Sequence, residues 1–158
     1  MGSFLSGSQI KEAYMIRVLI PSDFEFLFYE SECKTLYDSV QESIGDSNSF
    51  EFIVKNTLFY LFVNDNKLIG AIYYFLDEDE KLFLNGFANR KMHLLNLECL
   101  KMSLGWFKGE IYAQAQNKMS ALCLRKCGFE EVEKGIYVFI NKKNNQAGDF
   151  SGKETYVF

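Results

Sequence analysis

Residues 117–133 read NKMSALCLRKCGFEEVE: a polar asparagine, a run of small and apolar residues, a Gly-Phe pair and a glutamate-rich turn. The spacing predicts a helix that stops on Gly128. Gly128 falls at C′ and Phe129 at C″, which puts Leu124 at C3, the apolar partner of C″ in a Schellman stop. Beyond the stop the chain turns β-prone again, and GIYVFI (135–140) is expected to close a sheet.

Upstream, EIYAQA (110–115) predicts the strand before that helix. Residues 92–104 predict another helix, with Met92, Leu95, Cys99 and Met102 on a broad apolar face and Gly105 at its end. A strand reached through a crossover helix lies parallel to the strand that precedes the helix. EIYAQA is therefore expected to pair in parallel with KLFLNGFA (81–88). The stretch TLFYLFVNDNKLIGAIYYFLDEDEKLFLNGFA (57–88) holds three apolar runs split by NDNK and DEDEK, an antiparallel meander. Before it, FEFIVKN (50–56) fits a short helix or a strand equally well. SDFEFLFYESECKTLYDSV (22–40) predicts a helix with Ser22 as N-cap and Glu25 at capping-box spacing, and AYMIRVLI (13–20) a first strand ended by Pro21.

With 158 residues and 18.3 kDa, one domain is expected, here over 14–140, between polar tails at 1–13 and 141–158. The last four residues, TYVF, return to apolar character. The longest apolar runs, such as LIGAIYYFL (68–76), fall well short of the roughly 20 residues that span a bilayer. No membrane partner is expected. A net charge of −4 with scattered basic residues argues against nucleic acid. Cys33, Cys99, Cys123 and Cys127 contain no C-x-x-C pair, and with a single histidine they form no metal set. They are expected to be reduced, mostly buried thiols, in a cytoplasmic protein and not a secreted one. The opening MGSFLS fits the N-myristoylation pattern, which is too short to argue from.

Strand, helix, three-strand meander, helix, strand, helix, strand is an order that resembles the GNAT superfamily of acyl-CoA N-acyltransferases. The likeness runs from about 14 to 140 and is sharpest at Asn117, Ser120, Cys123-Leu124 and Gly128-Phe129; MIRVLIPSDFEFL (15–27) also resembles the family's first strand and helix. It implies an α/β (α+β) fold: a mixed, mostly antiparallel sheet flanked by helices, with one parallel strand pair. It also implies that this pair splays and that the pantetheine arm of acetyl-CoA lies in the gap. The diphosphate would rest on backbone N–H groups at the start of the crossover helix.

The chain departs from the family where the chemistry lies. The diphosphate loop, normally Arg or Gln, two residues, Gly, one residue, then Gly or Ala, reads FANRKMHLL (87–95), with no glycine after Gly86. Phe87, Ala88, Asn89, Arg90, Lys91 and Asn117 are the candidate cofactor-binding residues if acetyl-CoA binds. The family's tyrosine acid is replaced by Leu124, leaving Tyr112 or Tyr137 as substitutes. At the base position stands Asn85, which does not titrate. Asp77, Glu78, Asp79 and Glu80 read as a solvated hairpin tip, and His93 as a packed or capping residue, so no catalytic residue is assigned.

In these departures the chain resembles degenerate GNAT-like internal virion proteins of short-tailed phages. That resemblance implies a non-enzymatic component of a larger assembly, without a cofactor, whose terminal tails reach neighbouring protein subunits. Tyr156, Val157 and Phe158 would be the anchors. The alternative is an active acetyl-CoA-dependent N-acetyltransferase with an atypical loop; a third possibility is an acyl-CoA or nucleotide sensor without turnover.

Overall fold

The computed structural model describes residues 15–141. Both predicted tails, with Tyr156, Val157 and Phe158, lie outside the described residues apart from Asn141. Among the described residues, seven strands form one sheet in the order β1-β2-β3-β4-β5-β7-β6. They are β1 (Arg17–Leu19), β2 (Leu58–Asn64), β3 (Lys67–Leu76), β4 (Leu82–Ala88), β5 (Gly109–Gln114), β6 (Glu130–Glu133) and β7 (Ile136–Asn141). Helices α1 (Phe26–Val40) and α2 (Phe50–Asn56) pack on one face, α3 (His93–Leu104) and α4 (Lys118–Lys126) on the other. The sheet is antiparallel except for β4 and β5, which pair in parallel as the crossover through α3 requires.

The continuous apolar runs of β2 and β3 follow from burial on both faces. Phe59, Leu61, Val63 and Tyr73 face the core under α1 and α2, whereas Tyr60, Phe62, Ile72 and Tyr74 face the core under α3 and α4. At Gly70 the β3 and β4 backbones come so close that a Cβ would stand 2.2 Å from the Phe87 carbonyl oxygen, so only glycine fits. Cys33, Cys99 and Cys127 are free and buried, and Cys123 is free and half-buried.

The helix stop forms as expected. Gly128 takes φ +98°, its N–H donates to the Arg125 carbonyl at 3.0 Å, and the Phe129 N–H donates to the Leu124 carbonyl at 3.0 Å. FEFIVKN resolves as helix, because Ser49 accepts the Phe52 N–H and caps it.

Three expectations are corrected. The helix over 22–40 begins at Phe26, and Ser22 does not cap it. Asp23 Oδ2 accepts the Ile20 N–H at 2.8 Å and holds the chain in turns after Pro21, a local bond that competes with helix. Glu25 meanwhile binds Arg17 at 2.9 and 3.1 Å rather than closing a box. Of the first strand expected over 13–20, residues 13 and 14 lie outside the described residues, and among the described ones Arg17–Leu19 pair with β2; the strand stops there because the Ile20 amide is held by Asp23. Lastly, the glutamate-rich stretch after the stop is a strand, β6, paired antiparallel with β7. Its four exposed residues suit an edge, where charge discourages pairing with other chains.

Candidate functional site

The parallel pair is brief. Phe83 lies opposite Tyr112 and Leu84 opposite Ala113, and there the pairing stops. β4 continues beside β3 up to Ala88, while β5 stays with β7 and ends at Gln114. The two strands therefore diverge and open a gap in the sheet.

On the α3 and α4 side the gap is a cleft of about 150 Å³, walled by Ile72, Leu84, Leu100, Ala113 and Leu124 and edged by Gly86, Ser120 and Cys123. On the opposite face lies a more polar cavity of about 380 Å³ between the α1–α2 connection and the sheet, lined by Asp46, Asp77, Asn85, Gln114 and Gln116 among others. Leu84, Asn85 and Gln114 border both.

Asn85 occupies the gap itself. Its Oδ1 accepts the Gly86 N–H at 2.8 Å, and its Nδ2 donates to the Ile44 carbonyl at 3.1 Å. The α1–α2 connection is pinned a second time where the Tyr73 hydroxyl donates to Asp46 Oδ2 at 2.6 Å. Burial foremost, and then that bond, raise the Tyr73 pKa far above the phenol range, so Tyr73 stays protonated. Asp46 Oδ1 also accepts the Asn48 N–H at 2.8 Å.

Of the predicted cofactor residues, Phe87 and Ala88 end β4, and Phe87 is buried under α1 against Tyr37. Asn89 follows, and Arg90 and Lys91 form an exposed 3₁₀ turn that leads into α3. Three amides of this loop already have partners. The Asn89 N–H donates to the Ile69 carbonyl at 2.8 Å, the Lys91 N–H to Asn89 Oδ1 at 3.1 Å, and the Met92 N–H to the Asn89 carbonyl at 2.8 Å. Asn117 is the N-cap of α4 and is not among the residues that line the cleft. Its Oδ1 accepts the Ser120 N–H at 2.9 Å, and Ser120 Oγ accepts the Asn117 N–H at 3.2 Å, a complete capping box.

The two alternative tyrosines are dispersed. Tyr112 lies on the α1 and α2 face, stacked on Phe83, and its hydroxyl donates to Glu110 at 2.8 Å; that hydrogen bond, more than burial, raises its pKa. Tyr137 is buried, with the Arg125 guanidinium over its ring. Leu124 is core, as expected. Asp77 organises the β3–β4 turn by accepting the Asp79 and Lys81 N–H groups at 2.9 and 2.8 Å. Sequence reasoning missed the polar cavity and the bridging role of Asn85. Stretches 44–48, 75–77, 83–85 and 114–116 build that cavity, and no local pattern joins them.

No family model matches the sequence. The curated proteins hold no match either. Solved structures do match. A GNAT-family acetyltransferase from Bacillus anthracis aligns with 79% of this chain and 94% of its own at 15% identity, TM-score 0.58. An N-acetyltransferase from Staphylococcus aureus Mu50 aligns with 78% of this chain and 93% of its own at 13% identity, TM-score 0.56. AtaTR bound with AcCoA aligns with 84% of this chain and 98% of its own at 12% identity, TM-score 0.50. The chain therefore has the GNAT acetyltransferase fold, and at these identities the likeness extends to the fold alone.

Proposed function

We propose that this protein is a catalytically degenerate GNAT-fold protein that serves as a non-enzymatic part of a larger protein assembly, a phage virion on the resemblance noted above. One observation carries the degenerate half. Three amides along the path of an acyl-CoA are engaged within the chain: Gly86 with Asn85, and Lys91 and Met92 with Asn89. A backbone N–H that already donates gains little by exchanging one acceptor for another. The cleft of about 150 Å³ is also small beside the roughly 300–1,000 Å³ usual for ligand sites. Acetyl-CoA does not fit these residues as they stand.

An exposed apolar surface favours the assembly half. Phe24, in the turn before α1, is 74% exposed, and Leu27 and Phe28, in the first turn of α1, are 61% and 67% exposed, while the inner side of the helix is packed through Phe26, Tyr29, Cys33 and Tyr37. The terminal anchors Tyr156, Val157 and Phe158 belong to the same proposal.

Acetyl-CoA titrated to sub-millimolar levels is expected to leave the melting temperature nearly unchanged, because stabilisation requires ligand well above its Kd. A rise of several degrees would support the active N-acetyltransferase instead.

A further inference from the structure

We propose that the Asn85 side chain is a gate in the β4–β5 gap, closed by its own two hydrogen bonds, and that an extended, amide-bearing chain such as a pantetheine arm opens it. The inference rests on reading the cleft as a former acyl-CoA site.

Its basis is the way one carboxamide fills the opening. The cleft and the polar cavity share Leu84, Asn85 and Gln114, so among the described residues these border both spaces. Leu84 is fixed as the last residue of β4 that pairs with β5. Asn85, just past the divergence, offers an oxygen to the Gly86 N–H and an N–H to the Ile44 carbonyl. One acceptor and one donor set against main-chain groups are what a single peptide unit of a bound chain would present. The Asn85 side chain thus imitates the ligand, and a ligand carbonyl can reach the Gly86 N–H only by displacing Asn85 Oδ1.

The frame around the gate stays put when the gate swings. The α1–α2 connection that carries Ile44 is held a second time by the Tyr73 to Asp46 bond, although the Tyr73 hydroxyl also interacts with the Asn85 side chain. On the other side, Gly86 is held by β4 pairing with β3, opposite Ile72. Moving Asn85 therefore joins the two cavities and bares one amide without unfolding either wall.

Pantetheine is the suitable probe, since it lacks the diphosphate and so does not depend on the Arg90–Lys91 turn. In the full chain, Asn85→Ala is expected to bind pantetheine about five- to tenfold more tightly than the unmutated protein, the worth of one competing hydrogen bond. NMR titration at millimolar pantetheine reads this. Hydrogen exchange at the Gly86 amide is expected to quicken in the same variant. Asn85→Asp keeps an acceptor for Gly86 and is expected to bind no more tightly than the unmutated protein, with Gly86 still protected. An Asn85→Ala protein of unchanged melting temperature that binds no better, or whose Gly86 amide stays protected, overturns the gate. Where Asn85→Ala does not fold, tighter pantetheine binding by Asn85→Asp overturns it. The acetyl-CoA titration of the unmutated protein judges the degenerate reading, and the ratio between variants judges the gate, so either can fail alone.

Discussion

At the scale of single residues, the buried ionisable groups give the molecule its pH behaviour. Burial pushes the Cys127 thiol up to about 11, the Cys99 thiol up to about 12 and the Tyr60 phenol up to about 12. In the unfolded chain, thiols titrate near about 8.5 and phenols near about 10. Because the folded values are the raised ones, the stabilisation is fully present below the unfolded values. As pH rises past them, the unfolded chain loses protons that the fold retains, and stability falls until the folded values are reached. The melting temperature is therefore expected to decline steadily from about pH 9 towards pH 12. Cys127→Ala is expected to flatten the early part of that decline, between about pH 9 and 10, as measured by thermal melts across pH. A slope unchanged by this substitution would mean that Cys127 ionises alike in both states. Asn85 shows how little residue type reveals at this scale: the sequence excludes a titrating base there, but the bridge to Gly86 and Ile44 depends on a segment 41 positions away.

Among the secondary-structure elements, α4 is the most fully specified locally. Asn117 and Ser120 cap its start reciprocally, and Gly128 and Phe129 complete the stop at its end. Asn117→Ala is expected to lower stability by about 1 kcal/mol, the usual worth of an N-cap. Ser120→Ala added to it should cost less than it does alone, since both belong to one box. Urea unfolding midpoints of the two single variants and the double variant test this, and full additivity would count against a reciprocal cap. These are the residues that carried the family resemblance, and their bonds make them first a helix terminus. The start of α1 shows the opposite case. Its capping-box spacing was a valid local signal, but Asp23 bonded backwards to Ile20 and Glu25 found Arg17 on β1, so the helix began later. β6 was missed because a run of glutamates reads as a turn until β7 supplies a partner.

For the molecule as a whole, a GNAT-like sheet surrounds a gap at which the Gly86 amide is held by the Asn85 side chain. If the function lies in assembly, as proposed, its attachment should be separable from its stability. Deleting residues 144–158 is expected to leave the melting temperature of the domain within a degree or two while removing the protein from its assembly, because a polar segment ending in three apolar residues gains its order from a partner. A truncated protein that still assembles, or one that no longer folds, would count against the tail as the attachment device. The sequence by itself determined the order of the elements and the type of all but α2 and β6, the parallel pairing of β4 with β5 and the stop at Gly128. Each follows from local periodicity, capping chemistry or the handedness of a crossover, all written in neighbouring residues. The tertiary structure alone decided where β1 and α1 begin, that 50–56 is a helix and β6 a strand, and that Asn85 bridges the Gly86 amide at the gap to the Ile44 carbonyl. Those outcomes turn on which donors and acceptors meet in space, and hydrogen bonds between distant segments leave no period in the chain.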